Sequence, residues 1–288
     1  MTLDAVALRV ERGEGLAPGE AAAVAASHDL IAVSVLADEV RRRIHADAAT
    51  FCRVWEVHVE AVPPSAPEGL SAGEVRIVGT AASLEAACAA VASARRVAGS
   101  ACLAGLSLAD AVLEAPDAFA RLAEAGLDAI AELPVDRLPA AEPRIEAARA
   151  AGLLVERITM HDPPPDPVAA VMAAASLQRT AGGFRAFAPL PRRMPQDLPT
   201  TGYDDVKLVA LARLVAREIP SIQVDWALYG PKLAQVALTA GADDLDAVDA
   251  VEAGALGPRR TAREEVLRNI RAAGFVPFER NGRYVRLG

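Results

Sequence analysis

The sequence predicts a full or partial TIM-like (β/α) barrel carrying a helical C-terminal extension. Three observations predict it. Strand-like and helix-like segments alternate from residue 51 to residue 228, the pattern of a parallel sheet buried under helices with right-handed crossovers. Hydrophobic residues make up 52% of the 288 residues and aromatics only 4%. The apolar mass is therefore mostly Ala, Val and Leu, which suits helices packed closely on strands. The number of strand–helix units favours a closed or nearly closed barrel over an open sheet.

Residues 1–47 read as a helical segment. Ala17-Pro18-Gly19-Glu20 opens one helix with proline near its start,, and residues 36–43 lie in another. Residues 51–59 (FCRVWEVHV) alternate as a strand does,. Residues 61–73 form a loop rich in Pro, Gly and Ser,. Further strands are expected over 74–79, 101–106, 128–133, 153–160, 184–190 and 222–228. Helices are expected between them, over 83–98, 108–125, 142–151, 167–180 and 204–217. After Gly230 the pattern turns helical, over 232–240, a short piece at 247–252, and 261–273. Thr261 with Glu264 three residues on is a capping-box signature,, and Gly274 reads as a C-cap glycine,. The domain reading is a helical segment 1–47, a barrel 48–230, and an extension 231–288 packed on it.

Lys and Arg number 30 against 38 Asp and Glu, a formal charge of −8. That balance argues against a general binder of nucleic acid or of anionic membrane. The first residues, MTLDAVALRVERGEG, carry charges where a signal peptide needs an apolar core,. No uncharged run reaches the ~20 residues of a membrane span. The expectation is a cytoplasmic protein. Cys52, Cys88 and Cys102 stand 36 and 14 residues apart, which is neither a disulfide framework nor a paired zinc motif. No metal site is expected. GxSxG, GxxxxGKS/T and GxGxxG are absent, so no nucleophile elbow or phosphate loop is signalled.

Several residues are candidates for a site at the barrel mouth. His58 shares a strand face with Glu56 and Glu60; the face points either into the mouth or out to solvent. His161-Asp162 directly follows a strand, where barrels place their chemistry. The pair reads either as a base with its orienter or as a loop pair without a role. Arg185, Arg192 and Arg193 flank the strand at 184–190 and read either as a clamp for carboxylate or phosphate or as a solvated loop. Asp243, Asp244, Asp246 and Asp249 do not follow calcium-loop spacing and read as helix caps,.

The latter half of the chain resembles the radical S-adenosylmethionine enzymes of the futalosine route to menaquinone, most of all aminofutalosine synthase. The segments that carry the resemblance include Ala125-Gly126-Leu127-Asp128, Ile158-Thr159-Met160, Leu177-Gln178-Arg179-Thr180 and Ala186-Phe187-Ala188-Pro189-Leu190. They continue with Ile219-Pro220-Ser221-Ile222-Gln223, Gly241-Ala242-Asp243-Asp244-Leu245-Asp246 and Ile270-Arg271-Ala272-Ala273-Gly274. The resemblance implies a radical-SAM-type barrel. It also implies a 4Fe–4S cluster on CxxxCxxC after the first barrel strand. Here that strand runs through Val57-His58-Val59-Glu60 into Ala61-Val62-Pro63-Pro64, without cysteine. Ala131-Glu132-Leu133-Pro134 replaces a glycine-rich strand end, and His161-Asp162-Pro163 replaces the family's Gly-His. The expectation is therefore no cofactor and no 4Fe–4S cluster, with S-adenosylmethionine binding left open. Ligand-binding candidates are His58, Glu132, His161, Asp162 and Arg185; the catalytic residues stay unassigned. Two functions compete, beside a third reading as a degenerate barrel kept only for assembly. One is a cluster-less relative serving menaquinone biosynthesis as a partner of a pathway enzyme or a binder of a small-molecule intermediate. The other is a non-radical enzyme acting on a futalosine-like or other small polar substrate at the mouth.

Overall fold

The protein is described by a computed structural model that covers residues 3–193, 200–252 and 262–287. Three helices come first: α1 (Leu3–Arg12), α2 (Pro18–Ala26) and α3 (Leu30–His45). Asp29 starts α3 by accepting the Ala32 N–H at 2.9 Å, as capping residues do. There follow β1 (Ala48–His58), β2 (Glu74–Val78), α4 (Leu84–Ala98), β3 (Cys102–Ser107), a 3₁₀ turn (Ala111–Glu114) and α5 (Ala118–Glu124). Next are β4 (Ala129–Pro134), α6 (Glu142–Ala150), β5 (Arg157–Met160), α7 (Pro167–Thr180) and β6 (Ala186–Pro191). The chain continues through α8 (Gly202–Val215), β7 (Ser221–Asp225), α9 (Trp226–Leu238), β8 (Asp244–Asp249), α10 (Ala262–Ala272) and β9 (Val276–Arg280). Ser83, Asp166, Thr201 and Asp225 cap α4, α7, α8 and α9 through their side-chain oxygens. These four turns from strand to helix are thus written locally.

Strands β1 to β8 pair in sequence and in parallel, and β1 also pairs with β8. The sheet is a closed eight-stranded barrel. Its wall does not end at residue 230 as the sequence reading expected, because β8 lies at Asp244–Asp249. The short helix expected at 247–252 is absent: 247–249 end that strand and 250–252 follow it without helix. Asp243, Asp244 and Asp246 are buried rather than capping helices. They pass for caps in the sequence because the arginines that neutralise them come from distant elements. The expected cap at Thr261 lies outside the described residues. Gly274 ends α10 as expected, with φ 87° and its N–H donating to Arg271 O at 2.9 Å.

The eleven residues of β1 serve two neighbours on one edge. Val54 to His58 pair with β2, and Ala48 to Cys52 pair with β9. The C-terminal strand thereby fills the edge of β1 that β2 leaves open at the N-terminal, lower end of the barrel. The chain then turns across that end. Gly282 N–H donates to Gly73 O at 2.9 Å, and the Tyr284 hydroxyl lies 3.2 Å from Arg157 Nε. The tail is a floor. Only glycine passes at Gly282, since a Cβ there would sit 2.8 Å from Cys102 Cβ and 3.0 Å from Glu74 Cβ.

The barrel interior departs from the usual filling of branched apolar side chains. Glu74, Arg76, Arg157, Gln223, Asp244, Asp246 and Arg280 are all buried. Arg157 on β5 reaches Glu74 on β2 at 2.9 Å, and Arg76 on β2 reaches Asp246 on β8 at 2.8 Å. Neither pair lies on adjacent strands, so these bonds cross the lumen. Arg280 sets Nε and Nη2 on the two oxygens of Asp244, each at 2.6 Å.

The floor gives a stability prediction. Gly282→Ala should destabilise the fold by about 1–3 kcal/mol through overpacking. Gly202→Ala meets nothing within 4 Å and has no positive φ, so it should be neutral or slightly stabilising. Urea midpoints of the two variants against the parent check this; equal midpoints would show that the tail does not seal the barrel as described.

Candidate functional site

A cavity of about 630 Å³ opens at the C-terminal end of the strands. Val78 and Gly79 line it from the end of β2, Leu106 and Ser107 from β3, and Glu132 from β4. His161 follows β5 and Arg192 follows β6. Parallel barrels place their binding loops at this end because every strand C-terminus converges there.

Glu132 is the hub. His161 Nε2 lies 2.6 Å from its Oε1. Thr159 Oγ1 donates to Oε2 at 3.3 Å, and Arg192 Nε stands 3.1 Å from the same oxygen. Burial pushes the Glu132 carboxyl up, but the His161 hydrogen bond and the Arg192 charge outweigh it and hold the group at about 2. An ionised carboxylate only accepts, so Nε2 of His161 carries the proton. The ring is placed by its backbone. The carboxylate of Asp136, in the loop after β4, accepts the N–H of His161 at 3.0 Å and of Asp162 at 2.9 Å. Arg192 and Arg193 are placed likewise, their N–H groups donating to Met160 O at 3.0 Å and His161 O at 2.8 Å.

Two other carboxyls line the cavity and behave oppositely. Burial pushes Asp110 up, although the Ser107 N–H bonds it at 2.9 Å. Burial also pushes Glu56 up, against the pull of Arg76. Arg76 is 4% exposed and bonds Glu74 at 2.7 Å through Nε and Asp246 at 2.8 Å through Nη2. Its Nη1 has no hydrogen-bond partner, and Glu56 Oε1 stands 4.0 Å from it.

The structure brings together two of the five residues singled out from the sequence, Glu132 and His161. Asp162 turns outward and pairs with Arg137 on the surface. His58 is exposed; its ring lies across Gly79, where a Cβ would come within 2.6 Å of Nε2, and it does not line the cavity. Arg185 precedes β6 and is at the opposite end. It lines a smaller cavity of about 130 Å³ at the floor, beside Arg280 and Tyr284. In the sequence three arginines flank the strand at 184–190, but the strand's direction separates them: Arg192 and Arg193 reach the mouth and Arg185 lies at the floor. Arg76 was missed. Its signal was the run Glu74-Val75-Arg76, opposite charges on one face of a short strand, which burial makes stable only as a pair.

The cysteines do not gather at the mouth. Cys88 lies on α4, Cys52 in the lower half of β1, and Cys102 at the start of β3. Burial pushes the Cys52 thiol far up and the Cys102 thiol to about 12. The Cys52 sulfur comes within 4.8 Å of carboxylate oxygens of Glu74 and Asp246. Both carboxylates already bind guanidiniums, so this group is a closed ionic cluster rather than a vacant ligand set.

Comparison with known proteins fits this geometry. Residues 184–287 match the family described as the CofH/MqnC C-terminal region. The aminodeoxyfutalosine synthase of Streptomyces coelicolor is 34% identical over 137 residues, 40% of this chain and 35% of that protein. Over that stretch the chain is similar to this enzyme of the futalosine route. The 5-amino-6-(D-ribitylamino)uracil–L-tyrosine 4-hydroxyphenyl transferase of Methanothermobacter thermautotrophicus is 38% identical over 123 residues, 38% of this chain and 34% of that one. The matches thus span about a third of each of these curated relatives. Among solved structures, the FeFe-hydrogenase maturase HydG from Carboxydothermus hydrogenoformans superposes with TM-score 0.65 at 15% identity, over 98% of this chain and 80% of that chain. Methylornithine synthase (PylB) gives 0.65 at 11%, over 94% and 97%. These two likenesses support the closed barrel. Among the described residues no helix is long and apolar enough to cross a membrane.

The mouth predicts an acid-sensitive term in stability. The Glu132 carboxyl is depressed from 4.5 to about 2, so its contribution is full above the unfolded value and disappears as pH falls toward the folded one. The contribution is up to about 3 kcal/mol. Glu132→Gln should therefore destabilise at pH ~6 and converge on the parent near pH ~2. Denaturant unfolding across that range checks it; a gap that does not change with pH would contradict the assignment.

Proposed function

We propose that this chain is a cluster-less relative of aminodeoxyfutalosine synthase that binds a small polar intermediate of the menaquinone pathway at the barrel mouth. Its role would be as a carrier or as the partner of a pathway enzyme, in the cytoplasm. The observation that carries the reading is the mismatch between ligands and cavity. A 4Fe–4S cluster needs thiolates converging on one small volume. The loop after β1, residues 59–73, holds no cysteine, and the buried Cys52 and Cys102 thiols are held protonated. These residues do not fit the cluster. Radical chemistry belongs to the cofactor and not to the barrel, so no radical step is assigned to these side chains. What the mouth keeps is a cavity of about 630 Å³ lined by charged side chains.

One observation favours a second reading, a non-radical enzyme at the same place. His161 stands 2.6 Å from an ionised carboxylate, the arrangement of a base and its orienter. Lining the cavity with it is Asp110, whose carboxyl burial pushes up. Neighbouring groups whose environments push their proton affinities apart are the usual mark of acid–base sites.

Two measurements test the proposal. After anaerobic reconstitution with iron and sulfide, the purified chain should lack the brown absorbance of a cluster. A stoichiometric cluster would overturn it. In calorimetry with aminofutalosine, futalosine and S-adenosylmethionine, His161→Ala should weaken binding by about 1.5–3 kcal/mol, roughly ten- to hundredfold. Arg185→Ala, at the floor, should leave affinity unchanged. Tight binding that follows Arg185 and not His161 would move the site to the other end of the barrel.

A further inference from the structure

Among the described residues, four buried side-chain polar atoms have no hydrogen-bond partner: Arg76 Nη1, Arg192 Nε, Gln223 Oε1 and Asn269 Oδ1. Two of the four are guanidinium donors of the mouth cavity. A buried donor left unmade costs about 1–3 kcal/mol, more when charged, so two in one cavity call for an acceptor. The neighbouring carboxylates do not supply it. Glu56 stops 4.0 Å from Arg76 Nη1, beyond hydrogen-bond length. Glu132 stands 3.1 Å from Arg192 Nε without the angle of a hydrogen bond, and Asp225 lies 3.5 Å from its Nη1.

We propose that the mouth is an anion site in which a ligand's carboxylate or phosphate displaces Glu56 from Arg76 Nη1 and is held also by Arg192, with Arg193 at the rim. The inference rests on the reading of the mouth as a ligand site and names the chemical class that enters it. The fixed parts of the site are already in place. Arg76 is locked by Glu74 and Asp246 through its other nitrogens, so the free donor keeps its direction. Arg192 and Arg193 are tied to the end of β5 by their backbone. The movable part is Glu56, whose side chain is 52% exposed and stands against Arg76 without closing a bond. It occupies the anion's place when no ligand is bound.

The test uses simple probes on the full chain: inorganic phosphate and malonate, titrated by calorimetry at low salt. Arg76→Ala removes the partner of Glu74 and the lumen-crossing partner of Asp246, so it threatens the fold and is a poor probe. Two other substitutions carry opposite signs. Arg192→Ala should weaken binding about tenfold or more, and Glu56→Ala should tighten it about three- to tenfold, by removing the competing carboxylate. Arg185→Ala should leave it unchanged. A merely structural role for Glu56 would not tighten anything. Tighter phosphate than malonate assigns a phosphoryl group, and the reverse assigns a carboxylate. Absence of binding for both probes at millimolar concentration overturns the proposal, as does binding that neither substitution moves. If the probes bind as expected while the futalosine compounds do not, the anion site stands and the pathway assignment fails. If those compounds bind through His161 while Glu56→Ala and Arg192→Ala change nothing, the mouth reading stands and the anion site falls.

Discussion

Three guanidiniums and three carboxylates inside the barrel set the terms for everything else. Arg76, Arg157 and Arg280 meet Glu74, Asp244 and Asp246 with almost no access to water. Burial disfavours each charge, yet Arg157 and Arg76 hold Asp246 far below the ordinary carboxylate range, and Asp246 with Glu74 holds Arg157 far above its own. Such a cluster adds little net stability over an apolar core, but losing one member leaves a buried charge uncompensated, at about 3–5 kcal/mol. Its members come from β2, β5, β8 and the end of β9. The cluster is satisfied only when the barrel is closed and the C-terminal strand is docked.

That dependence explains the floor. A lumen lined by charges must be sealed from below, or water would compete for every pair. The chain seals it with its own end. Arg280 lies 4.2 Å from the centre of the Tyr284 ring, and the Tyr284 hydroxyl reaches Arg157. The family match over 184–287 runs from the start of β6 through this tail. The matched stretch therefore includes the strand and tail that build the floor, together with Arg192 and Arg193 at the mouth. Arg76, Asp110, Glu132 and His161, which shape the mouth, lie before the matched stretch.

The alternation of strands and helices was legible because caps and hydrophobic periods are local: Ser83, Asp166 and Asp225 sit where their helices begin. What escaped was non-local. Asp243, Asp244 and Asp246 look like capping residues until Arg213, Arg280 and Arg76 arrive from elsewhere in the chain, and β8 was hidden with them. The mouth was legible in part for the same reason. Glu132 and His161 end adjacent strands, so strand order alone brings them together. Arg185 and Arg192 bracket one strand of six residues, and only its direction tells which of them faces the cavity. His58 is placed by a contact with Gly79 that no period announces.

The carboxyls of the mouth show how one chemistry is divided by environment. Glu132 has His161, Thr159 and Arg192 around it and stays ionised. Asp110 accepts the Ser107 N–H and Glu56 stops 4.0 Å from Arg76, and desolvation shifts both upward. As pH falls, negative charge therefore leaves Asp110 and Glu56 before it leaves Glu132. The proposed anion site would then gain positive potential while His161 keeps its contact with an ionised Glu132. Glu132 and Glu56 thus differ in whether a side-chain partner stands within hydrogen-bond reach. His161 stands so to Glu132, at 2.6 Å; Arg76, 4.0 Å from Glu56, does not.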